Sequence, residues 1–156
     1  MTLQHEIPMA LRAAYLTLHR QSDACFAEHG VTADQFVLLA TLKRGHALTQ
    51  RELARRMSSD PSTVRAMLVL LERAGLVRRE THPSDSRART VTLTAAGQRK
   101  FRQLWNAGES IRSQMFNALL PGEAETLIKI LTKLSDTLNT EYVAVDGSPS
   151  LPAAEE

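Results

Sequence analysis

The strongest constraint on the fold of this chain is a pair of short helical patterns, each with its own start and stop signals, in the middle of the sequence. In "LTQRELARRM", Thr49 and Glu52 have the spacing of a capping box, in which each side chain accepts from a backbone amide at the helix start. In "SSDPSTVRAMLVLLERAG", Asp60 is a suitable cap, Pro61 suits the first helical position, and Gly75 suits the left-handed position that ends a helix. Two short capped helices joined by a tight connection predict a helix-turn-helix.

A hairpin is predicted directly after this unit, in "LVRRETHPSDSRARTVTLT". Two runs of alternating apolar and polar residues flank a polar loop that contains the turn residues Pro83 and Asp85. A hairpin in this place is a wing, and its arginines can reach a nucleic-acid backbone or a narrow minor groove. Arg87 lies at or just past the tip, and Asp85 is expected to orient Arg87 or Arg78 through a charge-assisted bond. The alternative is that these are ordinary exposed arginines of a strand.

Helical spacing of apolar residues predicts further helices on both sides of this region. The first helix, which Gly30 ends, carries Ile7, Leu11, Tyr15, Leu18, Ser22 and Phe26 on one face. A second helix begins at the cap Thr32 and closes at Gly45. A long helix of more than six turns opens at Thr94. The last helix starts at Pro121 and places on one face Leu127, Ile130 or Leu131, Leu134 and Leu138.

The apolar stripes of the first and last helices lie outside the compact middle of the chain, and a single copy would struggle to cover them. Pairing with a second copy is the simplest solution, so we expect a homodimer. The fold class is then mainly α with a small β-hairpin wing. Residues 1–30 would form an N-terminal dimerisation helix, 31–93 a winged helix-turn-helix DNA-binding domain, 94–145 C-terminal dimerisation helices, and 146–156 a disordered tail.

Charge is segregated along the chain, although the net charge is only +2. From Lys43 to Arg102 there are fourteen basic and five acidic residues, whereas the rest of the chain has five basic and twelve acidic residues. A basic middle between acidic ends favours contact of the middle with a polyanion. The alternative is a solvated, charged surface without a partner.

Several other classes of protein find little support in the sequence. No apolar run approaches the ~20 residues of a membrane-spanning helix, and "MTLQHEIPMA" lacks the pattern of a secretory signal. A single cysteine, Cys25, excludes an internal disulfide, so we expect a soluble cytoplasmic protein. There is no glycine-rich phosphate loop, nucleophile elbow or metal-ligand pair on one helix face. We therefore expect no enzyme activity, no cofactor and no metal.

The run "LTQRELARRMSSDPSTVRAMLVLLERAGLVRRETHPSDSRARTVTLTAAG" resembles the winged helix of the MarR family of bacterial transcription regulators. The resemblance rests on "LT…LA", on "STV", on "LE..GLV.R" and on the wing pattern "P.D.R...V.LT..G", in this order and spacing. The layout of terminal helices, which form the dimer interface in the family, is similar too. One position departs from the family: Ser86 stands where many members carry a basic residue.

The resemblance implies that the second helix of the motif enters the major groove of double-stranded DNA with its first turns. It would present Ser62, Thr63, Arg65 and Ala66 to the duplex. Arg65 is predicted to read a base, because a guanidinium can bond a guanine edge at two points. Ser62 and Thr63 are predicted to bond phosphates. The roughly palindromic operator of a symmetric dimer would have half-sites about one helical turn apart.

Other residues around this helix are also predicted to contact DNA. Gln50 and Ser59 flank it and would add backbone contacts, Arg87 would enter the minor groove, and Arg89 would meet a phosphate. Arg51, Arg55 and Arg56 either line the backbone or solvate a face. Val69 and Leu70, where the family often has polar residues, indicate either a deeper packing of the helix or an apolar patch that faces a neighbouring element.

The resemblance further implies a repressor that is released by a small effector, often an aromatic or organic acid, or by oxidation. Tyr15, His19 and Phe36 are the residues that would line an effector pocket, and the alternative is that each belongs to the core or the surface. We expect Cys25 to be a structural thiol. A redox- or metal-responsive regulator of the same fold, and a winged helix that binds protein, remain the alternative functions.

Overall fold

The structure is a computed structural model that describes residues 1–145 except 83, 86 and 88, and describes 140–145 through their backbone alone. Its elements are α1 (Leu3–Ala27), α2 (Ala33–Gly45), β1 (Leu48–Thr49), α3 (Gln50–Arg56), α4 (Pro61–Arg73), β2 (Val77–Thr81), β3 (Arg89–Leu93), α5 (Ala95–Ala107), α6 (Glu109–Asn117) and α7 (Glu123–Val145). The first of two compact units is Met1–Arg112, and the second begins at Ser113. No helix in the described part of the chain is long and apolar enough to cross a membrane.

The predicted caps are confirmed, and they explain where the helices around the motif begin. Thr32 and Gln35 form a capping box at α2, and Thr49 and Glu52 form one at α3. The backbone amide of Thr49 lies 2.8 Å from the Glu52 carboxylate, and this hydrogen bond lowers the pKa of Glu52. Asp60 caps α4, whose first residue is proline as predicted.

The wing prediction is confirmed, and the sheet contains one strand more than the hairpin. β2 and β3 pair antiparallel, with Val77 opposite Leu93 and Thr81 opposite Arg89. The two-residue strand β1 pairs antiparallel with the other edge of β3, so the order is β1-β3-β2. Two residues are too few to show an alternating pattern, which is why β1 escapes prediction.

The core of the first unit lies between the helix-turn-helix, α2, the sheet and α5. Its fully buried side chains are Leu38, Leu39, Leu42, Leu53, Val64, Leu68, Val91 and Leu104. The predicted buried stripe of α4 is confirmed at Val64, Leu68 and Leu71, and Met67 joins it. This stripe fixes which side of α4 is left to face solvent.

Two glycines near the motif have different reasons to be there. Gly75 has a φ of 73°, the left-handed conformation predicted for the end of α4. At the end of α2 the positive φ of 64° belongs to His46 and not to Gly45. A Cβ on Gly45 would lie 2.7 Å from the Leu48 side chain, so this glycine lets the chain pack closely before β1.

The C-terminal helices differ from the prediction in two places. The prediction of one uninterrupted helix after Thr94 is wrong, because α5 ends and α6 begins around Gly108. Gly108 is buried, and a Cβ there would lie 3.4 Å from the Phe26 ring. Helix α7 begins at Glu123, two residues after Pro121, and the Glu123 carboxylate accepts from the backbone amide of Leu120 at 2.8 Å.

Close packing also joins the start of α5 to the end of the helix-turn-helix. The Thr94 hydroxyl donates to the carbonyl of Gly75 at 2.6 Å, and the Thr94 amide donates to the carbonyl of Leu76 at 3.1 Å. A Cβ on Gly97 would lie 2.0 Å from the same Leu76 oxygen. Only glycine permits this approach of α5 to the chain that leaves α4.

Candidate nucleic-acid interface

The face of α4 opposite the core carries the residues that the sequence predicts as DNA contacts. Ser62, Thr63, Arg65 and Ala66 are all exposed, while the buried stripe of the same helix packs inward. Val69 and Leu70 are exposed as well, at 36% and 53%, so deeper packing of the helix does not bury them. The structure therefore places a mixed surface of hydroxyl, guanidinium and small apolar groups on one rigid helix.

Asp60 holds the hydroxyl groups at the start of α4. Its carboxylate accepts from the Ser62 hydroxyl at 2.5 Å, from the Thr63 hydroxyl at 2.6 Å and from the Thr63 amide at 2.9 Å. Each hydroxyl has one proton, and both protons are committed to Asp60. Ser62 and Thr63 thus face solvent as acceptors, and donation to a phosphate, which also only accepts, would require them to leave Asp60.

These hydrogen bonds lower the pKa of Asp60 well below its ordinary range. The bond from the Ser62 hydroxyl contributes most, followed by the hydroxyl and amide of Thr63, because each favours the charged carboxylate. The sequence shows that Asp60 is a helix cap. That it also fixes two predicted contact residues follows only from the side-chain geometry.

The wing places Arg87 in solvent, as predicted, and Asp85 contacts Arg87 through the backbone and not through the guanidinium. The Asp85 carboxylate accepts from the backbone amide of Arg87 at 3.0 Å, so it orders the turn. Of the two predicted partners, Asp85 thus contacts Arg87, while Arg78 pairs with Glu80 at 2.7 Å on the same strand. The turn residue Pro83 and the departure at Ser86 lie outside the described residues.

An open pocket of about 300 Å³ collects several predicted contact residues beneath the wing. It is lined by Thr49, Gln50, Arg51, Arg79, Arg87, Arg89 and Val91. Gln50, Arg87 and Arg89, which come from separate parts of the sequence, therefore meet in one place. Four arginines around one small pocket create a positive potential that suits an anionic group such as a phosphate.

Arg79 was not predicted as part of the site, and it links the wing to α4. Its Nε lies 3.3 Å from the Glu72 carboxylate, although it forms no hydrogen bond within the described residues. Because the Glu72 side chain is 46% exposed, the ion pair is screened and contributes on the order of 1 kcal/mol at most. The period-two pattern of β2 places Arg79 on the same side as buried Val77, which is the sequence signal for this contact.

Ser59 lies in the turn between the two helices of the motif. Its side chain is half-buried, and its amide donates to the carbonyl of Ala54 at 3.0 Å. The preceding residue, Ser58, has a φ of 50°, which produces the sharp turn between α3 and α4. Ser59 is thus close to the start of α4, as the prediction requires.

The predicted effector residues occupy two different surroundings. The rings of Tyr15 and His19 lie 5.6 Å apart on α1. The imidazole nitrogens of His19 lie 3.4 Å from Asp23 and 3.5 Å from Asp34. These two carboxylates would compete with an acidic ligand for the same imidazole.

Phe36, in contrast, belongs to an aromatic cluster at the edge of the core. Its ring centroid lies 4.6 Å from that of Phe26 and 6.0 Å from that of Phe101. Cys25, which precedes Phe26, is half-buried, and its thiol donates to the carbonyl of Ala107 at 3.2 Å. In the described part of the chain, no group of three His, Cys, Asp or Glu side chains could hold a metal ion.

The capped helix pair, the buried stripe of its second helix and the arginine-bearing hairpin define a winged helix-turn-helix protein. The model of the MarR family matches residues 31–88, which span this unit. Over these residues the chain is similar to the MarR family, a family of transcription regulators.

Relatives and solved structures agree with this assignment over most of the chain. The HTH-type transcriptional repressor MdtR of Bacillus subtilis (strain 168) is 28% identical over 139 residues, which cover 89% of this chain and 90% of MdtR. BpsR of Bordetella bronchiseptica, whose DNA binding is regulated by 6-hydroxynicotinic acid, matches with a TM-score of 0.77 and 26% identity over 87% of this chain and 97% of BpsR. A mutant MarR of E. coli complexed with operator DNA matches with a TM-score of 0.73 and 26% identity, over 86% and 99% of the two chains.

The Asp60 network predicts a specific dependence of stability on pH. Because folding lowers the pKa of Asp60, the carboxylate stabilises the fold above its ordinary pKa of about 4 and loses this contribution as the pH falls below that value. Asp60→Asn should therefore be less stable than the wild type at pH 7, and the difference should shrink in acid. Urea unfolding between pH 2.5 and 7 measures this.

Ser62→Ala serves as the matched variant, because it removes the largest contact that lowers the pKa and leaves the carboxylate in place. It should reduce the pH dependence in part. If the wild type and Asp60→Asn lose stability in parallel as the pH falls, Asp60 does not hold the helix start in the way described.

Proposed function

We propose that the protein is a homodimeric, sequence-specific DNA-binding regulator of transcription that acts as a repressor in the cytoplasm. One observation carries this proposal: the exposed face of α4 and the arginine pocket beneath the wing belong to elements that share one hydrophobic core. A helix face reads bases in the major groove, and a cationic wing beside it holds the backbone or the minor groove. MdtR, a named repressor, and the operator-bound MarR mutant support the same function.

Arg65 is the proposed base reader of α4. It is exposed on the second turn of the helix, where a guanidinium can reach the major-groove edge of guanine with two hydrogen bonds. Ala66 lies beside it and permits a close approach of the helix to the bases. Ser62 and Thr63, bound to Asp60, offer acceptors to donors on cytosine or adenine, or to bridging water.

The wing and the turn are proposed to position the protein on the duplex. Arg87 would enter the minor groove, and Arg89 would contact a phosphate from the same pocket. Gln50 lines that pocket, and Ser59 lies at the turn before α4, so both are placed to contact the backbone. Phosphate contacts of this kind set the register of the protein, and base contacts set its sequence preference.

The homodimer is proposed from the exposure of apolar side chains on α1 and α7. On α1, Ile7 is 53% exposed and Tyr15 54%, and on α7, Ile130 is 50% exposed and Leu138 63%. Such side chains, repeated along each of the two helices, mark apolar faces that another protein copy covers. A symmetric pair of wings and helices then requires an operator with two related half-sites.

We also propose that a small aromatic acid releases the repressor from DNA. BpsR supports this, since 6-hydroxynicotinic acid regulates its DNA binding. Tyr15, His19 and Phe36 are the proposed contacts. Because both imidazole nitrogens of His19 face aspartates, the acid would bind by replacing Asp23 or Asp34 at the ring. Release would follow if the bound form favours a dimer whose two α4 helices no longer match the half-sites.

Selection of bound duplexes from a random pool tests the proposed function. We expect enrichment of a roughly palindromic duplex. Arg65→Ala should reduce the discrimination at one base pair of each half-site by about 5- to 150-fold, the equivalent of ~1–3 kcal/mol for a bidentate contact. Arg65→Lys is the control: it keeps the charge and loses the two-point contact, so it should retain non-specific affinity without the base preference. Failure to enrich any duplex would refute the proposal.

The wing makes a separate prediction on the selected duplex. Arg87→Ala should weaken binding and lower the slope of log affinity against log salt by roughly one per wing. The loss should be greater on a duplex with an A·T-rich tract at the wing than on one with a G·C-rich tract. Arg78→Ala is the matched control, because Arg78 lies on the same hairpin but pairs with Glu80. Equal salt slopes for wild type and Arg87→Ala would remove Arg87 from the interface.

A thermal-shift series tests the effector. Monocyclic aromatic acids, with 6-hydroxynicotinic acid among them, should raise the unfolding temperature of the wild type more than the corresponding amides do, because binding to the native state stabilises it. His19→Ala should abolish the difference between acid and amide. If His19→Ala and the wild type respond equally, His19 is not part of the effector site.

A further inference from the structure

Two apolar residues of α4 belong neither to the buried core nor to the proposed polar contacts with DNA. Val69 and Leu70 follow each other on the exposed side of the helix, at 36% and 53% exposure, while the neighbouring Leu68 and Leu71 are buried. Neither is needed to complete the core. Their positions around the helix axis separate them, and this separation decides which of them lies on the proposed DNA face.

Consecutive residues of a helix are about 100° apart around its axis. On that basis Val69 lies about 20° from Ser62 and about 40° from Arg65, close to the direction that points away from the buried stripe. Leu70 lies about 80° from Ser62, next to Thr63 and towards the flank of the helix. Val69 therefore shares the outward face with the proposed base reader, whereas Leu70 does not.

We propose that Val69, assisted by Ala66, reads thymine by packing against its C5-methyl group in the major groove. The inference rests on the proposed function and adds the identity of a base to it. In the major groove, thymine is the base that offers a methyl group, and small apolar side chains recognise it by contact. Val69 is a small, stiff, branched side chain of the size such a contact requires.

The charges around Val69 favour a nucleic acid over a protein partner. Arg65 precedes it by one turn and Arg73 follows it by one turn, and all three side chains are exposed on α4. An apolar centre between two cationic ends matches the floor of a major groove with a phosphate strand at each side. A surface made to bind an apolar protein face would have little use for arginines at both ends.

The spacing along the helix also places the thymine. Four residues separate Arg65 from Val69, a rise of about 6 Å along the axis. Base pairs are stacked about 3.4 Å apart. If α4 runs along the groove, the thymine that Val69 contacts lies about two base pairs from the guanine that Arg65 contacts.

Replacement of single thymines by deoxyuridine in the selected duplex tests the proposal, because deoxyuridine lacks only the methyl group and pairs in the same way. One thymine in each half-site should be sensitive, with a loss in affinity of about fourfold when its methyl is removed. Val69→Ala should lose a similar factor on the thymine duplex and no further factor on the deoxyuridine duplex. Fluorescence anisotropy at fixed salt measures the four affinities of this cycle.

Leu70→Ala is the matched control, since it shortens a larger and more exposed apolar residue at the next position of the same helix. It should leave the fourfold effect of the methyl group intact. Circular dichroism and thermal unfolding verify that both variants keep the fold, as expected for exposed positions.

Three results would overturn the proposal. In the first, the loss from Val69→Ala is the same on the thymine and the deoxyuridine duplex, so that the two changes act independently. In the second, Leu70→Ala and not Val69→Ala removes the effect of the methyl group. In the third, Val69→Ala changes the oligomeric state and leaves DNA affinity unchanged. If no duplex is selected at all, the proposed function fails and this inference fails with it. If a duplex is selected and depends on Arg65 but on no thymine methyl, only this inference is wrong.

Discussion

The packing of one side of α4 into the core is the constraint on which the rest of the interface depends. Val64, Leu68 and Leu71 are each at most 2% exposed and lie about one turn apart, so the helix has no freedom to rotate about its axis. Shortening one such leucine to alanine costs ~2–5 kcal/mol in comparable cores, a large part of the stability of a small domain. The outward direction of Arg65, Ala66 and Val69 is fixed by residues that never meet solvent.

Polar interactions then set the chemical character of that outward face. The hydroxyls of Ser62 and Thr63 donate their protons to hydrogen bonds with Asp60, so only their acceptor lone pairs face solvent. Glu72 pairs with Arg79 of the wing beside the same helix. Two acidic residues thus stand inside a strongly basic segment and act on their neighbours within the protein. The positive charge available to a partner includes that of the arginines in the wing pocket and on the exposed face of α4.

Much of this fold is readable from the sequence because its signals are local. The caps Thr32, Thr49 and Asp60 act within three residues, and the stripe of α4 repeats with the period of a helix. Three features that the sequence does not show lie where different elements meet: strand β1 beside β3, Arg79 beside Glu72, and the interruption of the long helix at Gly108, which lies near Phe26. Asp34, one of the two carboxylates beside His19, likewise lies on a different helix from its partner.

The junction at Leu76 has a mechanical consequence. One carbonyl oxygen accepts from Thr94 and at the same time lies against Gly97, leaving no space for a methyl group between α5 and the end of the helix-turn-helix. Such a joint transmits displacement and absorbs little of it. A small tilt of α5 would therefore displace α4 as well, because the contact at Leu76 leaves no space between them. Even a shift of a fraction of an ångström in α5 would change the position of the exposed face of α4.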